Sequence, residues 1–238
     1  MEAALLAWHA EKARDLPWRR TRDPYAILVS EVMLQQTQVE RVIPRYRAWL
    51  ERWPTARALA EASAADAIRA WQGLGYNRRA LNLHRAARRI AASGWPADLT
   101  DLPGVGRYTA DAVSCFAFGE PVLPVDTNVR RVQERAGKVF AATCAQALMD
   151  LGATVCLARI PRCDICPLAT RCPSRGRRYE PLRKQSRFEG SFRQRRARAL
   201  RLVADHPRQV EELDAEAFES LRADGLVIAR AGVVALPE

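Results

Sequence analysis

Four of the six cysteines, Cys156, Cys163, Cys166 and Cys172, fall within seventeen residues in the pattern Cys-x6-Cys-x2-Cys-x5-Cys. Four thiols at such spacing tie a short loop to one centre. In a reducing compartment they gather a metal more readily than they pair as disulfides. By count they suit a tetrahedral zinc or a four-iron cluster equally well. Cys115 and Cys144 lie outside the group and read as ordinary buried thiols. The compartment is read from the first residues: Met1 to Arg19 interleaves Glu2, His9, Glu11, Lys12, Arg14 and Asp15 with its apolar positions, so it lacks the apolar core of a signal peptide. No apolar run approaches the roughly 18 to 20 residues of a membrane span. A cytoplasmic protein is expected.

The rest of the 238 residues reads as mostly helical. Apolar positions recur at three- and four-residue spacing through Leu5–Ala13, Ala26–Leu50, Leu59–Leu74, Ala80–Ile90 and Thr109–Phe118, with almost no alternation before residue 225. Prolines at 17, 24, 44, 54, 96, 103, 121 and 124 mark many of the joints. Near the C-terminus, helices are expected over Arg193–Asp205 and Asp214–Asp224, then short strands over Leu226–Ile228 and Val233–Leu236 joined at Ala231-Gly232. That order suggests a winged-helix-like tail, serving either as a DNA-binding module or as a packing appendage that covers a hydrophobic face.

Charge narrows the partner. The chain carries 38 Lys plus Arg against 27 Asp plus Glu, a net +11, and all but three of the basic residues are arginines. Arginine-rich composition alone could reflect codon usage, but the excess is local. Between Arg175 and Arg201 stand eleven basic residues and only Glu180 and Glu189, so this stretch holds +9 of the +11. A stretch of one sign suits a polyanion, bound through phosphate contacts and counterion release. Nucleic acid is the favoured partner.

Two further motifs carry chemistry. In Leu102-Pro103-Gly104-Val105-Gly106-Arg107-Tyr108-Thr109, two glycines one residue apart precede a helix. They allow a tight turn whose N–H groups face outward at a helix N-terminus, where an anion is favoured. An aspartate follows 22 residues after Gly104, at Asp126, within Val125-Asp126-Thr127-Asn128-Val129-Arg130-Arg131-Val132. In Ser30-Glu31-Val32-Met33-Leu34-Gln35-Gln36-Thr37-Gln38-Val39, Glu31 shares a helical face with Leu34 and Gln35. A half-buried carboxyl there resists ionisation and can donate a proton near neutral pH; a plain first-turn helix residue favoured by the dipole is the alternative.

Taken in order, these motifs resemble the MutY-type adenine DNA glycosylases of the endonuclease III, or helix-hairpin-helix, superfamily. The likeness includes Arg14-Asp15-Leu16-Pro17-Trp18-Arg19, Gly73-Leu74-Gly75-Tyr76, Arg79-Ala80-Leu81-Asn82-Leu83-His84 and Leu148-Met149-Asp150-Leu151-Gly152-Ala153, and spans roughly residues 7 to 173. It implies an all-α, two-lobed fold: a six-helix domain over 22–134 with the helix-hairpin-helix, an iron-sulfur domain formed by 1–21 and 135–174, a basic linker over 175–192, and the tail over 193–238. It implies a [4Fe-4S] cluster on the four cysteines and a mismatched or damaged duplex as partner, bound by a monomer.

The roles carried over are implied by the same resemblance. Glu31 matches the acid that protonates the adenine ring, and Asp126 the carboxylate that stabilises positive charge on the sugar. Asn128, Arg14, Leu16 and Trp18 match residues around the base and the acid. Gln36 and Tyr76 match those that wedge into the stack at the mispair, Gln35 and Thr37 beside them are further DNA-binding positions, and Leu102, Gly104, Val105, Gly106 and Arg107 match the DNA-binding hairpin. Tyr108 stands where bifunctional relatives carry a lysine nucleophile, implying hydrolysis without strand cleavage. The chain departs from the pattern in four places. Only 17 residues separate Arg131 from Met149; the loop at Ala92–Trp95 is trimmed; Asn77 replaces a common second aromatic; nothing after Cys172 resembles the Nudix-like domain that reads 8-oxoguanine in many members. Three rivals stay open: a mismatch thymine or uracil glycosylase on the same scaffold, a non-catalytic damage-sensing DNA-binding protein and a zinc-dependent transcription factor.

Overall fold

The computed structural model describes residues 1–180 and 187–238. Arg183 and Lys184 of the basic stretch lie outside them. In chain order the helices are α1 (Glu2–Lys12), α2 (Pro24–Leu34), α3 (Val39–Arg52), α4 (Ala56–Glu61), α5 (Ala64–Ala70), α6 (Arg78–Ser93), α7 (Arg107–Val113), α8 (Thr127–Ala136), α9 (Ala145–Thr154), α10 (Phe192–Asp205) and α11 (Ala215–Ala223). The strands are β1 (Arg208–Gln209), β2 (Ile228–Arg230) and β3 (Val233–Ala235). They form one antiparallel sheet in the order β1-β3-β2, with Arg208 opposite Val234 and Ala229 opposite Val234 on the other side. Among the described residues no helix is long and apolar enough to cross a membrane.

The chain divides into two compact units, Met1–Ile27 with Gly106–Lys184, and Leu28–Val105 with Gln185–Glu238. Residues 106–134, assigned from sequence to the six-helix domain, thus pack within the first unit. In that unit α8 lies against α9, and α1 joins them over a core of Leu5, Val129, Val132, Phe140, Cys144, Leu148, Leu151 and Val155. Gly152 permits the α8–α9 approach, since a Cβ there would stand 2.7 Å from Asn128 Cβ and 3.1 Å from its carbonyl oxygen. Cys144 is buried, but Cys115 is only half-buried.

In the second unit Trp49 packs edge-on against Trp53 and Trp71, with ring centroids 4.7 and 5.5 Å apart. The two long helical periods break where side chains satisfy orphan backbone groups. Ser63 Oγ accepts the Asp66 N–H at 3.0 Å and starts α5 inside the Leu59–Leu74 period. The Ala26–Leu50 period stops at Leu34 and resumes at Val39, across a turn in which Gln36 has φ 55°.

The tail is a small helix-and-wing element and is built into this unit. Leu200, Val203, Phe218, Leu221, Leu226, Val227 and Val234 share one core with Ala65 and Ile68 of α5. Arg69 Nε donates to the Ala204 carbonyl at 3.0 Å, and a Cβ on Gly225 would sit 3.6 Å from Leu81. These contacts join the tail to α5 and α6. The first wing strand begins at Ile228 because Leu226 and Val227 are spent on the core, and the two-residue β1 is too short to alternate visibly in sequence. The basic stretch also meets its own counter-charges here. Arg195 pairs with Asp214 at 2.8 Å and Glu216 at 2.6 Å, and Arg196 pairs with Asp224.

Candidate active site and cluster loop

Glu31 is the eighth residue of α2, past the first turn, so a role as a dipole partner at the helix start is excluded. Its helix is apolar on all sides, with Ile27, Leu28, Val29, Val32 and Met33 buried, and Glu31 itself is 5% exposed. Its carboxyl thus lies within the helical packing and not on the surface.

Directly after α2 the chain makes a loop at 35–38, and a second loop at 73–77 precedes α6. Gln36 is exposed with φ 55°; Tyr76 has φ 48° and is 50% exposed. Both loops converge on Arg79, which is buried. Its Nη1 donates to the carbonyls of Val32 (2.8 Å), Met33 (3.2 Å) and Gln35 (2.6 Å). Its Nη2 donates to Thr37 Oγ1 (3.1 Å), Gly75 O (3.1 Å) and Leu74 O (3.5 Å), and Nε to Tyr76 O (3.4 Å). Burial pulls the guanidinium down to about 10, with Tyr76 opposing, so it is charged at neutral pH.

The hairpin explains one of its glycines. Leu102 and Val105 are buried and anchor the turn, which the Val105 N–H closes on Leu102 O at 3.0 Å. Gly104 has φ 78°, and a Cβ there would stand 2.7 Å from Asn82 Cβ. Gly106, at the N-cap of α7, has φ −88° and nothing within 4 Å of a built Cβ. The fold therefore leaves Gly106 unexplained. Arg107 is exposed and reaches Asp111 at 3.0 Å, and Tyr108 is half-buried on the first turn of α7.

In the first unit Asp126 caps α8. Its Oδ1 accepts the Val129 N–H at 2.6 Å and its Oδ2 accepts Asn128 Nδ2 at 3.1 Å. Arg131, one turn on, donates to Asn128 Oδ1 (2.7 Å), Gly152 O (2.7 Å) and, through Nε, Cys156 O (2.8 Å). Burial lowers its guanidinium, against the opposing pull of Cys156. A hydrogen-bonded chain thus runs from the first loop cysteine to the Asp126 carboxylate.

Arg14, Leu16 and Trp18 also belong to this unit. Leu16 and Trp18 are buried, and Arg14 is engaged by Asp150, whose side chain has no exposed surface. Asp150 accepts the Arg14 N–H (3.0 Å) and Nε (2.6 Å) and both Nη atoms of Arg19 (2.7 and 2.8 Å), with His9 Nε2 at 3.3 Å. Burial alone would raise the carboxyl, but the hydrogen bonds from Arg19 and Arg14 outweigh it and hold Asp150 below its ordinary value.

The four cysteines lie in the same unit. Cys156 and Cys166 pack against its apolar core. Sulfur receives donors: the Gly176 N–H reaches Cys163 Sγ at 3.3 Å and Arg135 Nη1 reaches Cys156 Sγ at 3.5 Å. Tyr179 covers Arg135, with the guanidinium carbon 3.7 Å from the ring centroid. Burial raises the Cys166 thiol, and Cys156, Cys163 and Cys172 add to it, which places each of the three within reach of Cys166. Among the described residues they are not drawn into a closed ligand set. Four thiols with an apolar floor and N–H donors aimed at sulfur nevertheless fit an anionic thiolate centre.

Arg79, Arg131 and Asp150 stand inside the sequence motifs, where no role is legible for them. Each acts on partners distant in the chain. The available signal was a lone charge in an apolar helical run, clearest for Asp150 between Met149 and Leu151.

A family model, "HhH-GPD superfamily base excision DNA repair protein", matches residues 29–149. An adenine DNA glycosylase of Mycolicibacterium smegmatis is 43% identical over 94% of this chain and 91% of its own length. That of Homo sapiens is 39% identical over 73% of this chain and 39% of its own length. Among solved structures, a thermostable thymine-DNA glycosylase superposes with a TM-score of 0.67 at 29% identity, covering 73% of this chain and 94% of that one. The chain belongs to the helix-hairpin-helix superfamily of base excision DNA repair proteins, in its adenine DNA glycosylase family.

Proposed function

We propose that this chain is a monofunctional adenine glycosylase, hydrolysing the N-glycosidic bond of adenine mispaired with 8-oxoguanine or guanine. The observation that carries this reading is the 43% identity to an adenine DNA glycosylase along nearly the whole of both chains. A base in a duplex is out of reach, so the nucleotide is flipped before reaction. Glu31, buried on α2, delivers a proton to the adenine ring and turns the base into a better leaving group. As the bond breaks, positive charge grows on the sugar, and the Asp126 carboxylate, aimed by the Val129 N–H and Asn128, stabilises it. Tyr108 offers no amine for a Schiff base, so water completes the reaction and the strand stays intact.

Duplex recognition falls to the hairpin and the loops. Gly106, unhindered by any side chain, lets backbone N–H groups meet a phosphate beside Arg107, while Leu102, Gly104 and Val105 shape the turn. Gln35, Gln36, Thr37 and Tyr76 work at the mispair. Arg14, held by Asp150, lines the base pocket with Leu16 and Trp18. Cys156, Cys163, Cys166 and Cys172 would hold a [4Fe-4S] cluster, which supplies a redox-capable structural centre and no hydrolytic step. We place the protein, as a monomer, on DNA in the cytoplasm.

Replacing Glu31 by Gln tests the chemistry. Single-turnover release of adenine from a duplex pairing it with 8-oxoguanine should fall by at least about 100-fold while duplex affinity is kept. Retention of most of the rate would refute the assignment of the acid. A second reading, a thymine or uracil glycosylase, draws on the 29% identity to a thymine-DNA glycosylase and on Asn77 beside Tyr76. It would be favoured if release were confined to pyrimidines opposite guanine.

A further inference from the structure

We infer that Arg79 is a positioning residue that clamps the loops of Gln36 and Tyr76 together as a rigid rim for opening the duplex, an inference that rests on the glycosylase reading above. Neither position is glycine, yet both hold left-handed backbone, which costs on the order of 1 kcal/mol at each. Strain of that kind persists only where surrounding structure imposes it.

The guanidinium is the common element. Its acceptors are the last-turn carbonyls of α2 at Val32 and Met33, the Gln35 carbonyl and Thr37 hydroxyl on either side of Gln36, and the Leu74, Gly75 and Tyr76 carbonyls of the second loop. All of these acceptors are neutral, so the buried charge is spent on fixing backbone. Lysine cannot replace it, because one ammonium lacks the planar fork that reaches both loops.

What the clamp presents is suited to nucleic acid. Tyr76 holds its ring half exposed, the form of a base-stacking platform. Arg41 donates to the Gly73 carbonyl at 2.6 Å, and Arg45 Nη2 would stand 3.1 Å from a Cβ on Gly73, so two further cations flank the same loop. A ring and an amide on stiff backbone beside cations can push into a stack without yielding.

The test pairs wild type with Arg79→Lys on a duplex carrying 2-aminopurine opposite guanine, whose fluorescence rises when the base leaves the stack. Melting and affinity for an undamaged duplex are measured beside it. The variant should lose most of the fluorescence rise and on the order of 10- to 100-fold of the single-turnover rate, while undamaged-duplex affinity stays within about twofold. A wild-type rise and rate in Arg79→Lys would overturn the proposal. Should that variant not fold, Thr37→Val removes one acceptor from the rim, and amide hydrogen exchange of the DNA-free protein is read at 35–38 and 73–77: faster exchange in both loops upholds the clamp and unchanged exchange overturns it. Fluorescence does not depend on excision. A wild type that opens the duplex but spares adenine therefore overturns the functional reading and not the clamp, which the variants still decide.

Discussion

At Asp150 a single carboxylate with no exposed surface organises a whole segment: it receives the backbone and side chain of Arg14 and the fork of Arg19, with the ring of His9 3.3 Å away. Asp150→Asn removes the charge that these cations were desolvated to meet. It should cost about 3 kcal/mol, read as a fall in melting temperature of several degrees. The sign with pH follows from the lowered carboxyl. Its stabilisation is present above the unfolded value near 3.9 and is lost as pH falls through the lower folded value, so the gap in stability between wild type and variant should narrow steadily as pH falls below about 4. A gap that stays constant, or widens, on acidification would contradict this sign. Glu31 was legible from its helical face, because a carboxyl beside Leu34 breaks an otherwise apolar pattern. Asp150 breaks the pattern of its helix in the same way, but its partners, more than 130 residues away in sequence, could not be read. Periodicity registers the face of a helix and is blind to what meets that face from elsewhere.

At the level of elements, the helices could be read from apolar spacing, whereas their breaks could not. The interruption at 35–38 arises from a guanidinium on α6, and the integration of the tail arises from the apolar face of α5; both are tertiary effects that override local pattern. The hairpin motif was visible as a pair of glycines, but the two have different reasons that only packing separates. Gly104→Ala meets both a positive φ and the Asn82 side chain, so it should destabilise by more than about 1 kcal/mol and weaken duplex binding together. Gly106→Ala meets neither. Its stability should change by less than about 0.5 kcal/mol, while duplex affinity drops severalfold because a methyl group stands between backbone and phosphate. Equal affinity for Gly106→Ala and wild type would remove the hairpin from the DNA interface.

For the whole molecule, the composition pointed to a polyanion, yet part of the basic stretch serves the fold. Arg195 and Arg196 answer Asp214, Glu216 and Asp224 of the tail, so charge counting overstated what is free for phosphate. The cysteine loop could be read from spacing alone, whereas its setting, with Arg135 beneath Tyr179 and Arg131 joining Cys156 to Asn128, required the folded chain. The base released decides between the adenine and pyrimidine readings. Single-turnover cleavage should be measured on labelled duplexes carrying A opposite 8-oxoguanine, A opposite G, T opposite G and U opposite G, each with and without alkali. The prediction is product from the two adenine duplexes only, and only after alkali. Product confined to T or U opposite G, or strand cleavage without alkali, would contradict it.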